Sequence, residues 1–179
     1  LFHSNIFILY FFPLTLLLFF ISNKIRFDSK IILILASLFF YSWWNINYLP
    51  LIILSILINF FLGKKIKKSQ NNKKKFLFIS ILFNIGLLFS FKYADFFISN
   101  YNFLTSSGIN KLNLPFPLGI SFYTFQIITY LVDCYYGKIT LHKFKNFALF
   151  VVFFPQLIAG PIIKYNFLID QLNIVKFFV

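Results

Sequence analysis

Between Pro117 and Gly137 the sequence reads PLGISFYTFQIITYLVDCYYG, a stretch long and apolar enough to cross a bilayer that nevertheless carries Ser121, Tyr123, Thr124, Gln126, Thr129, Tyr130 and Asp133. Hydrocarbon offers such groups no hydrogen-bond partner, so the protein must supply one. On a helix turning about 100° per residue, Gly119, Tyr123, Gln126, Tyr130, Asp133 and Gly137 fall within about 40° of one line. Phe122, Phe125, Ile127, Ile128, Leu131 and Val132 flank that line and suit lipid or apolar helix contacts. A charge at the bilayer centre costs at least about 2.5 kcal/mol, so a line containing Asp133 must face other helices or a wet cavity. Asp133 also lies near a helix C-terminus, where the macrodipole disfavours an anion, and is expected to have a partner. Two chemistries fit the stripe. It either joins helices through hydrogen bonds or lines a passage for a polar substrate, and by itself it holds no complete acid–base pair.

A second unusual segment follows at residues 146–165, NFALFVVFFPQLIAGPIIKY. Pro155 removes a backbone donor, and Gly160 with Pro161 breaks the helix, freeing carbonyls that lipid cannot satisfy. Such backbone must be buried in protein or line a cavity, and Gln156 is placed to meet a freed group. The candidate lining residues are therefore Tyr123, Gln126, Tyr130, Asp133 and Gln156, with helix breaks at Pro155, Gly160 and Pro161. Asn59 and Asn84, inside other apolar runs, read as interhelical hydrogen-bond residues. His3 and His142 have no neighbouring carboxylate or second ligand and read as solvated. Cys134 is the sole cysteine, which excludes an internal disulfide and a CxxC metal site, so no metal ligand set is expected.

The elements that must position these groups are helices in a membrane. The chain has 179 residues, 60% hydrophobic and 12% charged, with 30 Phe and a mean hydropathy of +0.83, which excludes a soluble globular protein. The spacing predicts an all-α, polytopic integral membrane protein, one membrane domain over 1–179 with spans near 5–21, 31–44, 48–63, 76–91 and 117–137 and the broken or re-entrant segment 146–165. The first span lacks a signal-peptide cleavage pattern and is expected to be retained. Trp43 and Trp44 suit an interface belt, and Pro50 suits a first helical turn. The second and third spans are short, so tilt or local thinning is expected, a single kinked helix being the alternative. KYADFFISNYNFL, after the fourth span, has the mixed face of an interfacial helix. A chain that starts at Leu1 and ends in the apolar VKFFV reads as a piece truncated at its C-terminus.

Charge orients the array. Lys24, Arg26 and Lys30, then Lys64, Lys65, Lys67, Lys68, Lys73, Lys74 and Lys75, then Lys138, Lys143 and Lys145 fill three connections that fall on one side if five segments span. The positive-inside rule makes that side cytoplasmic and the N-terminus external. The net charge of +13 thus reflects topology rather than a nucleic-acid face, and no nucleic-acid partner is expected. The run KKIKKSQNNKKK reads first as a solvated topogenic loop, and second as an anionic-lipid contact.

FHSNIFILYFFPL, FFYSWWN, FKYADFF, LPFPLGISFYTFQIITYLVDCYYG and FFPQLIAGPI, in that order over nearly the whole chain, resemble the membrane-bound O-acyltransferase family, in its bacterial polysaccharide branch. The resemblance implies a ring of transmembrane helices around a tunnel in a bacterial inner membrane. It implies acyl transfer from acetyl-CoA or another cytoplasmic acyl thioester, with no resident cofactor, to an exported polysaccharide such as alginate. An extracytoplasmic acyltransferase partner protein is implied as well, besides the lipid bilayer. The family's hallmark histidine, set in an apolar helix, has no match among these residues and is expected beyond Val179, which leaves no catalytic residue in this chain and makes it inactive alone. The D-alanyl transfer protein of teichoic acid modification shares the fold and much of the pattern. A transporter, which should show paired broken helices, and a purely structural membrane subunit are the readings from other classes.

Overall fold

Proline and asparagine set most of the helix boundaries in the computed structural model, which describes residues 4–25, 27–140, 142–157, 160–161 and 163–174. His3, Arg26 and the chain end at Val179 lie outside the described residues. A π-helical turn, Phe7–Phe11, leads into α1, Phe12–Lys24, with Phe12 donating its N–H to the carbonyl of Phe7. The wider ring falls just before Pro13, whose missing N–H and bulky ring would spoil a regular turn there. Helix α2, Ser29–Trp44, is capped by Asp28, whose carboxylate accepts from the N–H of Lys30. Asn45 then turns the chain by accepting from the N–H of Asn47 at 2.9 Å, and a 3-10 turn, Ile46–Tyr48, feeds α3, Leu49–Lys68, with Pro50 in its first turn. The two are separate helices, not one kinked rod.

Helix α4, Lys73–Lys92, returns antiparallel to α3. Both run further into the lysine clusters than hydropathy alone predicts, α3 to Lys68 and α4 from Lys73. Lysine is a good helix former, and its aliphatic stem can lie along apolar surface while the ammonium reaches water. The third span is therefore not short. Asn59 and Asn84 meet in the middle of this pair: Asn84 Nδ2 donates to Asn59 Oδ1 at 2.6 Å and Asn59 Nδ2 to Asn84 Oδ1 at 3.3 Å, with each amide also donating to a carbonyl one turn back. Both are fully buried, and they hold the helices together as the sequence predicts.

Helix α5, Ala94–Thr105, is short, has no buried residue and exposes Phe96, Phe97, Tyr101 and Phe103. Its Asp95 carboxylate accepts from the N–H groups of Leu112 (2.7 Å) and Asn113 (3.0 Å), fastening the following loop back onto it. Helix α6, Ile120–Tyr135, packs against α3 and α4. The broken segment forms α7, Phe144–Val152, then the single turn α8, Phe154–Leu157, and it is followed by α9, Tyr165–Ile174. Among the described residues there is no strand.

Contacts between distant connections show that the lysine-rich segments share one end of the bundle. Lys67 Nζ donates to the carbonyl of Ile139, Lys145 pairs with Asp28, and Lys30 Nζ donates to Asn146 Oδ1 (3.1 Å) and Asn173 Oδ1 (2.8 Å). Lys30 is thus no loop cation. It is buried at the start of α2, tying α2 to α7 and α9. At the opposite end Phe7 and Phe11 pack edge-on against Phe154, and both rings also touch Phe40. Three helices, Phe7–Lys24, Ile46–Lys68 and Lys73–Lys92, are long and apolar enough to cross a membrane. With the apolar α2 beside them, they make this a helical membrane protein.

The asparagine pair supplies a test of what holds α3 to α4. Asn59→Leu or Asn84→Leu alone strands the other amide in the core and is expected to cost about 1–2 kcal/mol, whereas the two together remove both polar groups and should cost less than either single change. Thermal unfolding of the four proteins in detergent measures the cycle.

Candidate functional site

Two glycines let α6 sit deep in the bundle. Gly119, its N-cap, has φ of +67° in the left-handed region, and a Cβ there would lie 2.4 Å from the carbonyl oxygen of Leu157. Any side chain would meet both backbone strain and a clash with α8. Gly63 of α3 faces the other end, where an added Cβ would lie 3.0 Å from the Tyr130 ring and 3.5 Å from Cys134 Sγ. Gly137, at the far end of the predicted line, has nothing within 4 Å of its Cβ position, so it ends the helix and admits no neighbour.

Tyr123, Gln126 and Tyr130 are all buried, as the stripe predicts, together with Ile120, Thr124, Ile127, Leu131 and Cys134. The covered face nevertheless centres near Tyr123, Ile127 and Cys134, turned by roughly 70° from the predicted line. Ile127 and Leu131 are core residues, whereas Phe122 and Phe125 stay exposed. Asp133 lies at the edge of the covered face. It is half-buried, and its carboxylate has no hydrogen-bond or ion-pair partner among the described residues.

Around the amino-terminal half of α6, the broken segment is repaired by side chains. Pro155 occupies the first turn of α8, where a missing N–H costs little. The break itself falls at Phe153, and the N–H of Phe154 donates to Ser37 Oγ of α2 at 3.2 Å. Gln156 Nε2 donates to the carbonyl of Pro161 at 2.9 Å, which is the freed-group contact expected of it. The Gly160 N–H donates to Gln156 O at 3.1 Å, and a Cβ at Gly160 would come within 2.7 Å of Gln156. Several buried polar atoms here have no partner among the described residues: Tyr41 Oη, Tyr123 Oη, Thr124 Oγ1, Gln126 Nε2 and Gln156 Oε1. An unpartnered buried polar atom costs about 1–3 kcal/mol, and a cluster of them is uncommon in a finished core.

At the lysine-rich end the structure corrects the sequence reading of His142. Its ring is not solvated but stacks on Phe60, with centroids 4.7 Å apart and planes 8° from parallel. Nδ1 lies 2.6 Å from Tyr130 Oη, while Nε2 is buried without a partner among the described residues. Burial, and then the charges of Lys67 and Lys64, hold the imidazole below its ordinary pKa. Tyr130 in turn packs on Phe147 at 4.3 Å and on Tyr165 at 5.1 Å. The arrangement can hold a proton between a phenol and a neutral imidazole, but it presents no open base to a reactant. Two other groups escaped the sequence reading. Tyr41 and Ser37 recur with Leu33 and Lys30 at helical spacing along the buried face of α2, a periodicity that would have found them.

The depressed pKa of His142 gives a signed prediction. The unfolded chain binds this proton near pH 6.5 and the folded chain only at lower pH, so stability is full above that value and falls as the pH drops below it. His142→Phe should flatten this part of the stability profile while keeping the stack on Phe60. Gly119→Ala should lower stability by about 2 kcal/mol or more at every pH, and thermal melts across pH 5–8 separate the two effects.

No protein-family model matches the chain, and no solved structure matches it. Among curated proteins it is 39% identical over 201 aligned residues to the peptidoglycan O-acetyltransferase of Helicobacter pylori, covering 96% of this chain and 38% of that protein. It is 36% identical to the probable alginate O-acetylase AlgI of Pseudomonas aeruginosa, over 96% of this chain and 34% of that protein. With the probable alginate O-acetylase AlgI of Azotobacter vinelandii the identity is 34%, over 96% and 36% respectively. The chain spans a little over a third of the length of the curated relatives it matches. Over that span the chain is similar to these O-acetyltransferases, in keeping with its resemblance to the polysaccharide branch of the membrane-bound O-acyltransferase family.

Proposed function

We propose that the chain is the scaffold part of a membrane O-acetyltransferase that passes an acyl group across a bacterial inner membrane to a hydroxyl of an exported polysaccharide. The donor in this reading is acetyl-CoA or another acyl thioester, which meets the protein on its lysine-rich, cytoplasmic side, with the N-terminus outside. An extracytoplasmic acyltransferase partner completes the transfer, and the histidine that serves as base lies in residues beyond these 179. His142 does not take that part, because its Nε2 is covered and its Nδ1 is held by Tyr130.

The observation that carries the reading is the set of buried polar atoms without partners on α6 and α8, at Tyr123, Gln126 and Gln156. Groups left open in this way are what a passage for a carbonyl or hydroxyl compound needs, whereas helix glue such as Asn59 and Asn84 closes on itself. Tyr130 and Asp133 extend the same wall toward the lysine-rich end. Similar identity to a protein named for peptidoglycan and to others named for alginate leaves the choice of acceptor to other parts of the protein.

The test uses the full-length protein in its native cell. Gln126→Ala, Tyr123→Phe and Asp133→Asn should each reach the membrane at normal levels yet reduce O-acetyl content of the exported polymer, with about a tenfold loss corresponding to 1.4 kcal/mol of transition-state stabilisation. Wild-type acetylation in all three would assign these residues to packing alone.

A further inference from the structure

Where α3 ends and α4 begins, the lysine run does not form a plain solvated loop. Phe61, Lys64, Lys65, Lys68, Ser69 and Phe76 line an open groove between the two helices. Its floor is aromatic, with Phe61 exposed, and its rim carries three exposed lysines. Lys65 Nζ lies 5.7 Å over the Phe76 ring, and the charge of Lys64 acts on the His142 imidazole.

The chain has few anions with which to balance this rim, since it contains four acidic residues in all. Asp28 is paired with Lys145, and Asp95 is engaged by the N–H groups of Leu112 and Asn113. Asp133 and Asp170 lie on α6 and α9, outside the groove. Lys73, Lys74 and Lys75 add to the imbalance, because they occupy the first turn of α4, which has no acidic residue and where the helix dipole disfavours cations. Both helices are long and apolar enough to cross the membrane, which places their shared lysine-rich end at the boundary between hydrocarbon and water. At that boundary an apolar floor beneath a cationic rim matches one amphiphile, a lipid with an anionic phosphate head group.

We propose that this groove seats an anionic phosphoglycerolipid, its phosphate among Lys64, Lys65 and Lys68 and the upper part of its acyl chains over Phe61 and Phe76. None of these residues belongs to the α6–α8 wall.

The full-length protein, purified in an uncharged detergent, is titrated with phosphatidylglycerol and with phosphatidylcholine of the same chains, reading retained lipid by native mass spectrometry and the thermal midpoint. Phosphatidylglycerol should be retained and should raise the midpoint, and phosphatidylcholine should do neither. K64Q/K65Q/K68Q should weaken retention by roughly fivefold for each lysine, the worth of one cation near an anionic surface. F61A/F76A keeps every charge and should also weaken it, which preserves the test if the first variant fails to fold. Equal retention of both lipids, wild-type retention by either variant, or equal stabilisation by inorganic phosphate or a short RNA would overturn the proposal.

Discussion

Inside a bilayer no water waits to complete a hydrogen bond, and the rest of this structure follows from how the chain answers that constraint. Regular helices answer it for their own backbone. The break between α7 and α8 does not, so side chains from elsewhere finish the work: Ser37 of α2 takes the N–H of Phe154, and Gln156 takes the carbonyl of Pro161. These two contacts also fix what surrounds the break, because α2 must lie alongside α8 for the first and the chain must double back for the second. Gly119 then brings the start of α6 against the Leu157 carbonyl. Three segments far apart in sequence are joined at one irregular point.

The two ends of the bundle meet the constraint differently. Near the lysine-rich end most buried polar groups are engaged: Lys30 with two asparagines, Lys67 with a carbonyl, Tyr130 with His142. Around the break, phenol, hydroxyl and amide atoms from α2, α6 and α8 stay open. If each costs about 1–3 kcal/mol, the group together rivals the whole stability of an ordinary domain.

Much of this was legible in the residues because period and polarity are local. Helical spacing picked out Tyr123, Gln126 and Tyr130 as buried, whereas the proline pointed to a break at Pro155 that falls two residues earlier, at Phe153. Two failures share one cause. The polar residues of α6 by themselves point the stripe one way, but a face is buried by its neighbours, and here Ile127 and Leu131 are covered while Asp133 sits at the margin. His142 was read from its setting in LHKFK, a basic stretch that looks solvated. What covers it is Phe60, on α3, and Tyr130, on α6. No window of sequence holds all three.

The histidine and Lys30 show how one field can be met in two ways. Both lie among the lysines, where another positive charge is unwelcome. Lys30 remains because two amide oxygens face its Nζ, an arrangement a long side chain can reach from inside α2. His142 is buried, has no such acceptor for Nε2 among the described residues, and feels the charges of Lys67 and Lys64, so neutrality is its cheaper state. A neutral imidazole can then stack flat on Phe60 and accept from the Tyr130 phenol, which an imidazolium beside lysines would do poorly. The hydrogen bond that orients Tyr130 on α6 therefore depends first on the burial of His142 and then on cations that never touch it.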